Sequence, residues 1–280
     1  MTFTIPKVMG ILNITPDSFH TSSRCLNDDE IIRRIEIIHS EGADIIDIGG
    51  YSTRPGANQI SESEEWRRVE RALKLYKESG CDLPVSLDTF RSEIAKRGVM
   101  DYGVSIINDV SGGEEDPIMW TTVKELHVPY ILTHIRGNIN QMMSQAIYRD
   151  VTSEVIKELS WKVHRMRKLG ICDIIIDPGF GFSKTPSQNL KLLNEFQEIC
   201  NMGMPVLAGI SRKSMISSTL QCSSEEALAG TICAQTIALM KGASILRVHD
   251  VKEAVDTVRI YTAVVKNNSD NSEIQIIGHD

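Results

Sequence analysis

The sequence predicts a single α/β domain, a closed (β/α)8 TIM barrel of parallel strands ringed by helices, and three observations carry that prediction. Eight short apolar runs recur along the chain, each stopping on something polar, and helical patterns separate them. The length of 280 residues suits one barrel core as readily as two ordinary domains. Strand then helix, repeated, forces parallel strands, and about eight repeats close the sheet. All C-terminal strand ends then share one face, where active sites are built, so Asn13, Asp88, Asn108, Asp177, Arg247 and His249 should converge.

The first run, within VMGILNITPDSF, is apolar up to Asn13 and yields to a loop over residues 15–27. Ile31, Ile32, Ile35 and Ile38 then repeat at helical spacing, and Gly42 ends that helix. The second run, Asp44–Gly49, opens into GGYSTRPGAN, where a flexible backbone and the pair Thr53–Arg54 could wrap an anion or form a plain surface turn. Ser61 and Glu64 have capping-box spacing ahead of an inward stripe of Trp66, Val69, Leu73 and Tyr76. The third and fourth runs end in Asp88-Thr89 and Asn108-Asp109. Asp88 alone could do no more than cap the next helix; its pairing with Asn108 and Asp177 argues for a site.

Strand five, Tyr130–Thr133, leads to His134-Ile135-Arg136-Gly137 and then a helix over residues 151–169 that Gly170 stops. A lone histidine at a strand end is expected to be structural. Strand six is the most informative, ending in Asp177-Pro178-Gly179-Phe180-Gly181-Phe182. Two glycines let backbone approach a flat ligand, Phe182 offers an aromatic face, and Asp177 offers acceptors to an N–H-rich ring edge. After strand seven, Gly209–Ser214 places Lys213 and hydroxyls at a helix start that favours anions. Ser223 and Glu226 are spaced to box a helix running through Met240. In the eighth run, Arg247 and His249 are two apart and should face the pocket together, near where such barrels bind phosphate. Asp250 and Glu253 read as a helix cap. The barrel is expected over residues 1–265, and 266–280 as a frayed polar tail.

A formal net charge of −7 gives nucleic-acid binding no general support, although Arg54, Lys213 and Arg247 can hold a phosphate locally. Six scattered cysteines without C-x-x-C spacing read as reduced thiols of a cytoplasmic protein. No apolar run approaches the roughly 18 residues of a membrane span, and no secretory leader is evident at the N-terminus.

In this order, VMGILNITPDSF, DIGGYSTRPGA, SLDT, IINDVSGG, IIDPGFGFSKT, GISRKS and ILRVHD resemble the motifs of the dihydropteroate synthase family, up to about Ala263. The resemblance implies a barrel, usually a homodimer, that condenses 6-hydroxymethyl-7,8-dihydropterin pyrophosphate with 4-aminobenzoate, with Mg2+ as cofactor and sulfonamides as inhibitors. It assigns Asp88, Asn108, Asp177 and Lys213 to the pterin. Asn13, Thr53, Arg54, Arg247 and His249 go to the pyrophosphate, Asn13 also to the metal, and Phe182, Lys213 and Ser214 to 4-aminobenzoate. Lys213, Arg247 and His249 are the expected catalytic set, and the loops 15–27 and 51–58 the two closing loops. Three departures stand out. His20-Thr21-Ser22-Ser23 replaces Ser-Asp-Gly-Gly, leaving Asp17 as a rival to Asn13 for the metal; Tyr51 stands where Glu is frequent, and Ile135 where Met is frequent. A methyltetrahydrofolate-binding methyltransferase barrel is the alternative enzyme reading, and a pterin-binding module without catalysis is the alternative of another class.

Overall fold

A computed structural model of the chain describes residues 3–15, 27–52, 58–139 and 142–274. Eight parallel strands make one sheet in the order β6-β5-β4-β3-β2-β1-β8-β7, and a bridge between Ile176 and Val206 brings its two edges together. The strands are β1 Lys7–Asn13, β2 Ile45–Gly49, β3 Val85–Asp88, β4 Ile106–Asp109, β5 Tyr130–Thr133, β6 Ile174–Asp177, β7 Leu207–Ala208 and β8 Ile245–Val248. The helices are α1 Asp28–Ser40, α2 Glu62–Glu78, α3 Ser92–Tyr102, α4 Met119–Leu126, α5 Val151–Lys168, α6 Pro186–Asn194, α7 Phe196–Cys200, α8 Ser214–Leu220, α9 Leu228–Met240 and α10 Val251–Ile274.

Side-chain caps set the starts of α1, α2, α5 and α6. Asn27 caps α1 through a reciprocal box with Glu30, both bonds 2.8 Å long, while Asp28, Asp29 and Glu30 sit at the positive end of the helix. Ile31, Ile35 and Ile38 on its inner face are fully buried, each contributing about 1.5–3 kcal/mol of transfer free energy. Two expected boxes come out differently. Ser61 caps the Glu64 N–H at 3.2 Å, but the Glu64 carboxylate turns to Arg67 and Arg68, so α2 has one arm of the box only. Ser223 and Glu226 do exchange bonds, yet they close a turn, and α9 begins at Leu228. At the other end of the chain, α10 stays helical to Ile274, beyond the expected tail boundary, because no proline or glycine intervenes.

Period-two alternation sorts the strand residues. Val8, Leu12, Ile46, Ile48, Leu87 and Ile176 face the helices in the main core. Inside the barrel, Met9, Ile45, Ile106, Ile131, Ile175, Leu207 and Ile245 form a separate buried plug. Two residues further along their strands, and therefore on the same inward face, come Asp47, Asn108, Thr133, Asp177 and Arg247. The barrel thus presents a polar layer resting on an apolar floor, at the end where the strands stop.

Candidate active site

Arg247 ties the polar layer together. Its Nε donates to Asp47 Oδ2 and its terminal nitrogen to Asp88 Oδ2, both at 2.6 Å, so one guanidinium bridges carboxylates from β2 and β3. Asn108 Nδ2 lies 3.2 Å from the same Asp47 oxygen. Burial disfavours the Arg247 charge, but Asp47 and Asp88 outweigh it and raise the guanidinium above its ordinary value. Burial pushes the Asp88 carboxyl up to about 7, against the pull of Arg247 and helped by the nearby Asp47. Asp47 is fully buried and was not among the residues expected from sequence.

The β6 and β7 ends supply a second pair. Asp177 Oδ1 accepts from Gly179 N–H at 2.7 Å. Gly179 has φ +70°, and a Cβ there would lie 2.0 Å from His134 O, so this turn admits glycine alone. Across from it, a Cβ on Gly209 would lie 3.6 Å from Asp177 Oδ2 and 3.9 Å from Lys213 Nζ. Both headgroups therefore converge beside bare backbone. Lys213 Nζ also donates to Phe180 O and stands 4.7 Å from the centroid of the Phe182 ring. Burial lowers the Lys213 ammonium to about 8, with Asp177 opposing, and burial raises the Asp177 carboxyl, with Lys213 opposing. Lys213 can face inward because Arg212 takes a left-handed conformation, φ +55°. Two 2.8 Å bonds from Arg212 to Asp250 hold that turn, and Asp250 lies directly ahead of α10, its carbonyl accepting from Ala254 N–H at 3.2 Å.

At the mouth, Asn13 sits beside Gly49, where a Cβ would lie 3.4 Å from Asn13 Oδ1 and 3.2 Å from Asp88 Cβ. Phe90, Val110, Ile135 and Ile139, flanked by Tyr51 and Phe182, make an apolar wall. β8 ends at Val248, so His249 lies one residue past the strand; its N–H donates to Ser211 Oγ at 3.2 Å, and its carbonyl accepts from Arg34 at 2.6 Å. Ser214 opens α8 on the exposed rim. Thr53 and Arg54, like Asp17 and Thr21, lie outside the described residues. His134 is structural as expected, with Nδ1 3.0 Å from Lys184 Nζ and Nε2 3.0 Å from Glu158.

Among the described residues no group of three or more His, Cys, Asp or Glu could hold a metal ion. What the mouth offers is the amide oxygen of Asn13, a hard ligand. Mg2+ takes oxygen donors of this kind and draws much of its shell from substrate phosphates and water, so Asn13 would be one ligand among several.

The pterin binding enzyme family matches residues 9–249. Dihydropteroate synthase of Haemophilus influenzae is 37% identical over 261 residues, covering 92% of this chain and 94% of that protein. Dihydropteroate synthase of Bacillus subtilis is 38% identical over 261 residues, covering 92% and 88%. Among solved structures, Yersinia pestis dihydropteroate synthase with a sulfonamide drug complex superposes with a TM-score of 0.88 at 33% identity, covering 95% of this chain and 96% of that one. The Xanthomonas albilineans enzyme in complex with 7,8-dihydropteroate gives 0.80 at 35% identity, covering 94% and 95%.

Proposed function

The chain belongs to the pterin binding enzyme family, and from that premise we propose that it acts as a dihydropteroate synthase, a transferase of folate biosynthesis. It joins 6-hydroxymethyl-7,8-dihydropterin pyrophosphate to 4-aminobenzoate, giving 7,8-dihydropteroate and pyrophosphate. The observation that carries this reading is the convergence of Asp177 and Lys213 beside Gly209, next to the Asp47–Arg247–Asp88 bridge. An acceptor and a donor at one corner suit the amide-like edge of a pterin, and Asn108 with Asp88 faces it from the neighbouring strands.

The C–O bond to pyrophosphate breaks with its electron pair leaving on oxygen, and the dihydropterin ring stabilises the positive character left on the methylene. The aniline nitrogen attacks that carbon and then loses a proton, so no protein nucleophile is needed. Arg247, His249 and, from the outer loops, Thr53 and Arg54 hold the leaving group; fixed cations at that position lower the barrier to charge separation. Mg2+, when bound with Asn13 as its protein oxygen, supplies further positive charge to the departing oxygens. Phe182 and Ser214 flank 4-aminobenzoate, with Lys213 between the two substrates, and a sulfonamide would compete there. The apolar wall keeps water from the reactive carbon.

The working unit in this proposal is a homodimer. Ile237 and Met240 of α9 and Ile260 and Val264 of α10, two helices packed together, are exposed and form an apolar face suited to a second copy. No helix among the described residues is long and apolar enough to cross a membrane. The described cysteines are free thiols, which supports a cytoplasmic setting. The test is steady-state release of pyrophosphate from the pterin substrate. Release that requires 4-aminobenzoate is expected; release independent of it, or none, would contradict the assignment.

A further inference from the structure

Behind the site lies a lysine that the chemistry above does not use. Lys184 is 1% exposed, and its Nζ stands 3.0 Å from each of three acceptors, Gly179 O, Phe182 O and His134 Nδ1. Burial lowers the Lys184 ammonium to about 7, with Asp177 opposing, but its three N–H donors match three acceptors, whereas a neutral amine would leave one of them without a proton. With Nδ1 accepting, the neutral imidazole carries its proton on Nε2 and donates it to Glu158 at 3.0 Å. Burial holds that ring neutral, lowering its pKa to about 3, with Lys184 adding to the effect. Glu158 in turn pairs with Arg136, and the Arg136 backbone is stitched to Ser183, which takes φ +50°.

What this buried assembly grips is residues 179–182, the segment between the two carbonyls that Lys184 holds. That same segment touches both ring-recognising groups: Gly179 N–H donates to Asp177 Oδ1, Phe180 O accepts from Lys213 Nζ, and the Phe182 ring faces the Lys213 ammonium. We propose that Lys184, steadied by His134, is a positioning residue for pterin binding, whose ammonium fixes the turn 179–182 from beneath and so sets the separation and aim of Asp177 and Lys213 without touching the ligand. The inference rests on the dihydropteroate synthase reading and extends it to residues outside the pocket. Lys191, an exposed lysine of α6 paired with Asp150 and Glu195, has no such connection and serves as the control.

Calorimetric titration with 6-hydroxymethylpterin, together with steady-state kinetics, tests the proposal. Lys184→Met keeps the chain length and removes all three donors. It is expected to raise the pterin Kd and the KM for the pterin substrate tenfold or more, while Lys191→Met matches the wild type. A Lys184→Met protein that binds pterin within twofold of the wild type would overturn the proposal. If circular dichroism shows that Lys184→Met is unfolded, His134→Phe carries the test, because it removes the Nδ1 acceptor and the Glu158 link at similar ring volume. A rise in pterin Kd of threefold or more supports the proposal, and an unchanged Kd overturns it. Failure of the wild type itself to bind pterin would overturn the functional reading, and the positioning role with it.

Discussion

Among single residues, Asp47 has the largest predicted effect on stability. It is a fully buried partner of Arg247, so Asp47→Ala leaves Arg247 Nε and Asn108 Nδ2 without that acceptor and Asp88 as the remaining carboxylate on the guanidinium. Breaking such a buried pair costs about 3–5 kcal/mol. The expected outcome in chemical denaturation is a lower midpoint by that amount, with much less loss for Glu64→Ala, whose pairs with Arg67 and Arg68 are more exposed. Lys213 gives a pH signature. Its ammonium titrates near 8 when folded against 10.5 ordinarily, so between those values the unfolded chain holds more protons and stability rises with pH. Relative to Lys213→Met, the wild type should gain stability from pH 8 to 10.5 and show a constant difference below 8; a flat difference across the window would contradict the buried placement. The sequence displayed Asp177 and Lys213 plainly, because Asp177 ends an apolar run, Lys213 lies in the polar segment that follows one, and each has glycine nearby. Asp47 was hidden inside such a run, where DIIDIG reads as a strand, and the parity that puts it on the face of Ile45 and Gly49 was the signal available. Lys184 was hidden for another reason: a lysine in a loop motif gives no sign of being buried.

The strands were legible almost to the residue because parallel strands covered on both faces are continuous apolar runs. β7 is the exception: Pro205 and Val206 were expected within it, but regular pairing covers only Leu207–Ala208, with Val206 making a lone bridge to Ile176. Helix starts were less legible, since Ser223 and Glu226 satisfy a capping pattern that a turn can satisfy equally well. Within β4, alternation makes a sharp prediction. Asn108 faces the barrel, whereas its neighbour Asp109 faces outward and accepts from Ser111 N–H at 2.8 Å, Gly113 N–H at 3.0 Å and Tyr130 Oη at 2.6 Å. Asp109→Ala should therefore lower stability by at least about 1–3 kcal/mol with pterin affinity nearly intact. Asn108→Ala should weaken pterin binding as well as stability, since it also removes a donor from the buried Asp47 carboxylate. At the end of β1, Asn13→Ala should raise the Mg2+ concentration for half-maximal turnover. An equal effect from Asp17→Asn would move the metal's protein ligand into the first loop.

At the scale of the whole molecule, an apolar plug supports a polar layer, in which Arg247 offsets part of the charge of the two carboxylates it bridges, Asp47 and Asp88, before any ligand arrives. The outer face of α9 and α10 makes a separate prediction. Met240→Glu with Ile260→Glu should leave a folded monomer by sedimentation velocity if that face joins two copies, and an unchanged dimer would place the interface elsewhere. The central claim remains that Asp177 and Lys213 form the pterin-recognising corner of the barrel mouth. Calorimetric binding of 6-hydroxymethylpterin to the wild type and to Asp177→Ala tests it most directly. The account predicts a loss of about 2–3 kcal/mol, a weakening of roughly 30- to 150-fold, with the fold intact; equal affinity in the two proteins would contradict it.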